Sequence, residues 1–368
     1  MIRIDIRPVW RFRGETDKDF DFLLVALLEA IERTGKLTHA ARMAGISYRH
    51  SWNLIEQWQA FFGAPLVEMR KGRGTTLTTL GADLLWASLR ARERLAPELD
   101  NLSAEFARTL NAALSEAATV LSIQASHDFA VARLPELTAA AGLAVDVQYK
   151  GSFDALGALR RGECDVAGFH LPEGDLGSLL ARRYAEGLEG GDYRFIRFVA
   201  RTQGFIVRAG NPRDIRAIGD LARRDVRMIN RQRGSGTRAL LEFLLSREGI
   251  DRARVQGYDT DEITHAAVAV MIAGGQADVG FGVQAAAAQY NLDFIACCQE
   301  RYGLAVRASQ VDSPPIQALV QVLRGEAFAS LVAALPGYSA PGAGEIAESP
   351  AALAHDVSLE SVAPAAIE

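Results

Sequence analysis

The stretch THAARMAGISYRHSWNLIEQWQ, residues 38–59, restricts the fold of this chain more than any other segment. Two helices crossing at a tight turn need a small residue at the crossing, a turn residue that accepts positive φ, and an apolar residue just beyond. Ala41, Gly45 and Ile46 occupy those places. Ser47 then offers a hydroxyl N-cap, and Trp52, Ile55, Trp58, Phe61 and Phe62 follow at helical spacing. This leaves Ser47, Tyr48, Arg49, His50 and Asn53 facing outward near the start of the second helix. Such side chains can reach base edges and phosphates in a DNA major groove. Thr38, in the helix before, joins the expected DNA-facing set.

The flanking segments fit the same unit. Residues 20–33 place Phe20, Leu23, Leu24, Leu27, Leu28 and Ile31 on one helical face, and residues 37–44 form a short helix. Residues 65–79, PLVEMRKGRGTTLTT, read as two short strands around a Gly-rich turn. Arg70, Lys71 and Arg73 on that turn suit flanking phosphates, as a wing. The chain carries a net charge of -5, but between residues 36 and 74 six Lys and Arg face only Glu56 and Glu68. A local cationic excess matters more for DNA than the global figure. Ile2, Ile4 and Ile6 alternate with Arg3, Asp5 and Arg7, a strand period. Residues 80–114 read as one long helix, interrupted by Pro97.

From residue 117 to 338 the pattern changes. Short apolar strands at 120–123, 145–147, 166–169, 205–207 and 279–281 alternate with helical stretches, an α/β pattern with a mainly parallel sheet. In such folds ligands sit at strand C-termini, where helix N-termini favour anions. Four segments fit: Ser126-His127-Asp128, Gly151-Ser152-Phe153, residues 230–238 (NRQRGSGTR) and Thr264-His265. In the third, Gly234 and Gly236 admit close backbone approach, Ser235 and Thr237 add hydroxyls, and Arg231 and Arg238 add charge-assisted contacts to an oxyanion. Asp128 reads as a helix cap or as the group that orients His127 or an arginine. Thr202-Gln203 reads as a hinge between lobes. Residues 340–368, rich in Ala, Pro and acids, read as a disordered tail.

Several classes are excluded. Cys164, Cys297 and Cys298 give neither a disulfide framework nor metal-finger spacing. No nucleophile elbow, dinucleotide fingerprint or P-loop is present. We therefore expect no enzyme, no catalytic residues, no metal cation and no cofactor. The opening MIRIDIRPVWRFRG lacks an apolar signal core, and no apolar run approaches about 20 residues. The expectation is a cytoplasmic protein with no membrane contact.

The motifs LEAIERTG (28–35), AARMAG (40–45), SYRHSW (47–52), Leu54-Ile55, PLV (65–67) and LTTLG (77–81) resemble the ModE-type branch of the LysR-like winged helix family. The resemblance implies that Ser47, Tyr48, Arg49 and Asn53 face DNA and that the helix from Leu80 onward is a dimer seam. A homodimer, or a higher oligomer built on it, would favour a pseudo-palindromic double-stranded site. Residues 117–338 resemble a periplasmic-binding-protein-like sensor of the molybdate- and tungstate-binding type, not the small oxyanion barrels that follow the reader in ModE.

The expected fold is an α+β winged helix-turn-helix domain (1–79), a dimerisation or linker helix (80–115), a two-lobed α/β periplasmic-binding-protein-like domain (116–339), and the tail. Lobe I takes about 116–200 and 296–339, lobe II about 201–295. The expected function is a transcriptional regulator sensing molybdate or tungstate through Ser126, His127, Ser152, Arg231, Gly234, Ser235, Gly236, Thr237, Arg238, Thr264 and His265. Two alternatives stay open: a small organic anion or molybdenum-cofactor-related metabolite as effector, or a protein-interaction module with no ligand.

Overall fold

The computed structural model describes residues 4–13, 17–70, 74–114 and 120–353. A two-residue hairpin opens it, β1 (Arg11–Phe12) against β2 (Lys18–Asp19). Helix α1 (Phe22–Thr34) starts at Asp21, whose carboxylate accepts the Leu23 N–H, and stops at Gly35 with φ 63. It buries Leu24, Leu27, Leu28 and Ile31, the face expected from the periodicity. Helices α2 (Leu37–Met43) and α3 (Tyr48–Phe62) follow, joined through Gly45 at φ 71. There the Ile46 N–H donates to the Ala41 carbonyl, which holds the turn closed. Strands β3 (Val67–Arg70) and β4 (Gly74–Leu77) pair antiparallel as the wing.

The strand expected over Ile2, Ile4 and Ile6 does not form at Ile4 or Ile6, and Ile2 lies outside the described residues. Aromatic packing anchors this end instead. Trp10 stacks on Phe20, and Phe12 meets Trp58 and Phe62 edge-on. The Ile6 N–H donates to Ser103 Oγ on the long helix, so its backbone is satisfied without a ladder.

That helix, α4 (Thr79–Leu114), runs through Pro97. It leads to the two-lobed domain, whose elements are β5 (Leu121–Ala125), α5 (Leu134–Ala140), β6 (Val145–Tyr149), α6 (Ser152–Arg161), β7 (Val166–Pro172) and α7 (Asp175–Gly187). The long strand β8 (Tyr193–Val207) crosses to β9 (Met228–Arg231), α8 (Gly236–Arg247), β10 (Asp261–Glu262), α9 (His265–Ala273), β11 (Val279–Val283) and α10 (Gln284–Gln289). A second long strand, β12 (Asp293–Arg307), crosses back to α11 (Pro314–Arg324), α12 (Glu326–Ala333), β13 (Tyr338–Ser339) and β14 (Ile346–Ala347).

The sheet order is β10-β9-β11-β8-β12-β7-β5-β6. Each lobe has a parallel part, β6-β5-β7 in one and β10-β9-β11 in the other. Strands β8 and β12 run antiparallel to each other and to β11 and β7. The sheet is therefore mixed, not mainly parallel, because two 15-residue strands pass between the lobes. Thr202 and Gln203 lie on one of these crossings, and the other slips register between Ala296 and Cys298.

The expected tail needs correction. Ile346 and Ala347 pair with β8, and the Arg197 guanidinium donates to the Ala352 and Leu353 carbonyls. Part of this segment thus extends the sheet alongside β8, while 354–368 lie outside the described residues. Among the described residues no single helix is long and apolar enough to cross a membrane.

Candidate functional site

The reading surface is built at the start of α3. Ser47 Oγ accepts the His50 N–H at 3.1 Å, and Ser51, Leu54, Ile55 and Trp58 turn inward. Burial of that stripe forces Tyr48, Arg49, His50 and Asn53 outward, and all four are exposed. Ser47, Arg49, His50 and Asn53 line one shallow depression with Asp21 and Gln57. Thr38 is exposed on α2. Arg70 ends β3, but its side chain, like Lys71 and Arg73, lies outside the described residues.

Between the lobes lie an open cavity, the mouth, and a buried charged cluster, the floor. The mouth is a cavity of about 710 Å³ with Ser152 and Phe153 on one lobe, and Gly234, Ser235, Gly236, Arg238 and Tyr258 on the other. Ser152 and Gly236 are the first residues of α6 and α8, so two helix N-termini meet this space. Gly234 takes φ 84, and Ser235 caps α8 by accepting the Arg238 N–H. The lobes approach closely here: a side chain on Gly236 would meet His170 Cβ at 4.0 Å.

The floor holds charged and aromatic groups drawn from both crossings. Arg201 on β8 is clamped, with Nη1 2.6 Å from Asp128 Oδ2 and Nη2 2.7 Å from Glu300 Oε2. Asp128 also accepts the Ala130 N–H and the Tyr338 hydroxyl, so it is both cap and ion-pair partner. Gln203 donates to Glu300 and to Thr237 Oγ1 across the lobes. His170 Nδ1 sits 3.3 Å from Arg201 Nη2. The His127 ring packs edge-on against Tyr149, 4.8 Å between centroids.

Arg231 stands apart from this balanced network. It is 7% exposed, and its Nη2 donates to the Ile263 carbonyl at 2.8 Å, while Nε and Nη1 have no partner among the described residues. Burial and the nearby Arg201 charge pull its pKa down to about 9. Burial also drives the imidazoles of His127, His170 and His265 down, and the Arg231 charge adds to each. His265 Nδ1 is buried without a partner among the described residues too. A buried cation surrounded by neutral imidazoles, with N–H donors to spare, is chemically suited to seat an anion.

The structure redistributes the expected ligand residues. Arg231, His127 and His265 lie near enough for the Arg231 charge to lower both imidazoles, and Ser152, Gly234, Ser235 and Gly236 line the mouth. Ser126 donates to the Lys150 carbonyl and Thr237 accepts from Gln203. Arg238 borders the mouth, but its guanidinium pairs with Glu242 and Asp261 and lies over the Tyr258 ring. Thr264 turns away from the cleft: its hydroxyl caps Ala267 and donates to the Glu93 carbonyl on α4. Both depart from expectation because neighbours outside the loop satisfy them. His170, Arg201, Gln203 and Glu300 are floor residues outside the expected set. Charged or amide groups inside otherwise apolar strands, as in FVARTQGFIV, are the signal that marks them.

Comparison with known proteins gives two family matches. Residues 135–324 match the PBP superfamily domain, and residues 23–82 match the bacterial regulatory helix-turn-helix protein of the lysR family. The uncharacterized protein YvgK of Bacillus subtilis is 34% identical over 199 residues, covering 54% of this chain and 64% of its own length. The chain thus spans less than two thirds of that relative. The molybdenum transport protein ModE of Herbaspirillum seropedicae is 38% identical over 73 residues, 18% of this chain and 27% of its own. The molybdenum-pterin-binding protein MopB of Rhodobacter capsulatus is 33% identical over 106 residues, 28% of this chain and 38% of its own. Among solved structures, a cysteine-to-serine mutant of OxyR from Corynebacterium glutamicum with bound H2O2 aligns at TM-score 0.44 and 16% identity, over 85% of this chain and 94% of that one.

Proposed function

Because the chain belongs to the PBP superfamily and carries a LysR-family helix-turn-helix ahead of that domain, we propose that it is a transcriptional regulator switched by a small oxyanion, with molybdate or tungstate as the effector. The observation that carries this reading is Arg231. An uncompensated buried cation costs several kcal/mol, and two of its nitrogens lack partners among the described residues. An oxyanion at the floor would neutralise that charge and accept from Nε and Nη1. The helix N-termini at Ser152 and Gly236 favour the same sign of charge at the mouth. The short matches to ModE and MopB, proteins named for molybdenum transport and molybdenum-pterin binding, support the choice of metal oxyanion.

The exposed start of α3 fits a major groove, and Leu95, Leu102 and Phe106 leave an exposed apolar stripe along α4 suited to a second copy. In this reading a homodimer binds a pseudo-palindromic duplex.

One observation favours a second effector class. The mouth, about 710 Å³ with Phe153, Tyr184 and Tyr258 in its walls, exceeds what one tetrahedral anion fills. A small aromatic carboxylate or a cofactor-related anion would use it. Calorimetry with tungstate, molybdate, sulfate and benzoate separates the readings. Tungstate and molybdate heats with none from benzoate support the first. Benzoate binding alone replaces it with the second, and no heat from any anion removes the metal-oxyanion and the aromatic-carboxylate readings.

A further inference from the structure

Helix α4 straddles both lobes, and its contacts with them fall on opposite sides of Pro97. On the N-terminal side, Arg90 Nε lies 2.6 Å from Glu262 Oε1 and Arg94 Nη1 lies 3.7 Å from Oε2, although Glu262 itself is fully buried. The Tyr290 hydroxyl donates to Glu93 Oε1. All of these partners belong to lobe II. On the C-terminal side, Asn101 accepts the Tyr149 N–H at 2.6 Å and donates to the Tyr149 carbonyl, and Arg108 pairs with Asp146 at 3.0 Å. These partners belong to lobe I.

Pro97 has no N–H, so the carbonyl four residues earlier loses its helical donor. That carbonyl is Glu93, and the Thr264 hydroxyl takes it at 3.2 Å. The gap in the helix ladder is therefore filled by a residue of lobe II. Thr264 is also the N-cap of α9, immediately before His265 on the cleft floor. Glu262, two residues earlier, is the ladder partner of Arg231, and Arg231 Nη2 holds the Ile263 carbonyl between them. One short segment, residues 262–265, thus touches the anion seat on one side and the proline joint on the other. On lobe I, Tyr149 does the same, with its ring on His127 and its backbone on Asn101.

We propose that Pro97 is the joint through which relative movement of the two lobes is passed to the DNA reader, with Thr264 and Asn101 as the grips on either side. The physical case is a hinge at a missing hydrogen bond, held by each of two bodies that move against one another. The ligand that drives closure is taken from the reading above, but the joint itself does not depend on that ligand's identity.

The test needs neither effector nor operator. Spin labels at Ala87→Cys and Thr109→Cys, in a chain with its three cysteines replaced by serine and diluted with unlabelled protein, flank the joint. They lie about 33 Å apart along a straight helix. Gly236→Trp places a wedge where the lobes meet at His170. With Pro97 present, the wedge should shift the label separation by several ångström. In Pro97→Ala, which restores the N–H and frees Thr264, the wedge should leave the separation unchanged. Asn101→Ala should likewise reduce the shift, by releasing the grip on lobe I. An unmoved separation in the Pro97 chain, or an equal shift in Pro97→Ala, overturns the joint. Adding tungstate to the unwedged chain tests the effector separately: no shift there, with a shift on wedging, removes tungstate and keeps the joint.

Discussion

Arg231 and Arg201 share the cleft floor, yet of the two only Arg201 has carboxylate partners among the described residues. Asp128 and Glu300 close on Arg201 at 2.6 and 2.7 Å, while two nitrogens of the Arg231 guanidinium have no partner among the described residues, and burial and the Arg201 charge lower its pKa to about 9. Arg201 ties β8 to β12 and to the β5–α5 turn. In the proposed reading Arg231 is the residue that takes a charge from outside.

Removing Arg231 should not harm the effector-free protein. Replacing an unpaired buried cation by an apolar side chain of similar length removes a desolvation cost. Arg231→Met is expected to raise the melting temperature of the effector-free protein or leave it unchanged. A fall of more than a few degrees would show that the guanidinium has partners that balance it.

Breaking the Arg201 clamp should have the opposite effect. Asp128→Ala leaves Arg201 with one carboxylate, strips the Tyr338 hydroxyl of its acceptor and uncaps Ala130. A loss of about 3–5 kcal/mol in denaturant unfolding is expected for one partner of a buried pair. A loss below about 1 kcal/mol, the range of exposed pairs, would mean that the pair is not buried in solution.

Acid should weaken the fold through the cleft. Burial, with the Arg231 charge in addition, lowers His127 to about 4 and lowers His170 and His265 in the same direction. An unfolded imidazole titrates near about 6.5. Between these values the unfolded chain binds protons that the folded chain does not, so stability rises with pH. It is complete above about pH 6.5 and is lost as pH falls toward about 4. Urea unfolding across that window should show the decline, and a flat profile would contradict the neutral floor.

On the reader, Arg49 projects from the exposed first turn of α3 beside Asn53. Arg49→Ala should weaken binding to the selected operator by about 1–3 kcal/mol and relax discrimination at one base position. Gel shifts against single-base operator variants measure both. Equal losses on every variant would reassign Arg49 to phosphate contact.

The reader was legible because its signals are local. Ala41, Gly45, Ile46 and Ser47 act on neighbours a few residues away, and the turn forms around them. The cleft was legible as a set of strand-to-helix turns but not as a wiring diagram. Arg231 and Arg238 share one loop, and only the fold brings Glu242 and Asp261 to Arg238 while leaving two Arg231 nitrogens without acceptors among the described residues. Beyond the expected strand at 205–207, the rest of β8 and all of β12 were hidden because Arg194, Arg197, Arg201, Glu300 and Arg301 interrupt their apolar runs, and the Arg201–Glu300 pairing spans 99 positions. Residues 340–353 read as a tail because Ala, Pro and acids bury little, yet Arg197 and the edge of β8 hold them.

The most direct test compares operator affinity with and without saturating tungstate, in the native chain and in Arg231→Met. We expect tungstate to change the affinity of the native chain at least tenfold and to leave that of Arg231→Met unaltered, while both bind DNA equally without it. A native chain indifferent to tungstate, or an Arg231→Met chain that responds as the native one does, would contradict the claim that an oxyanion on Arg231 governs the reader.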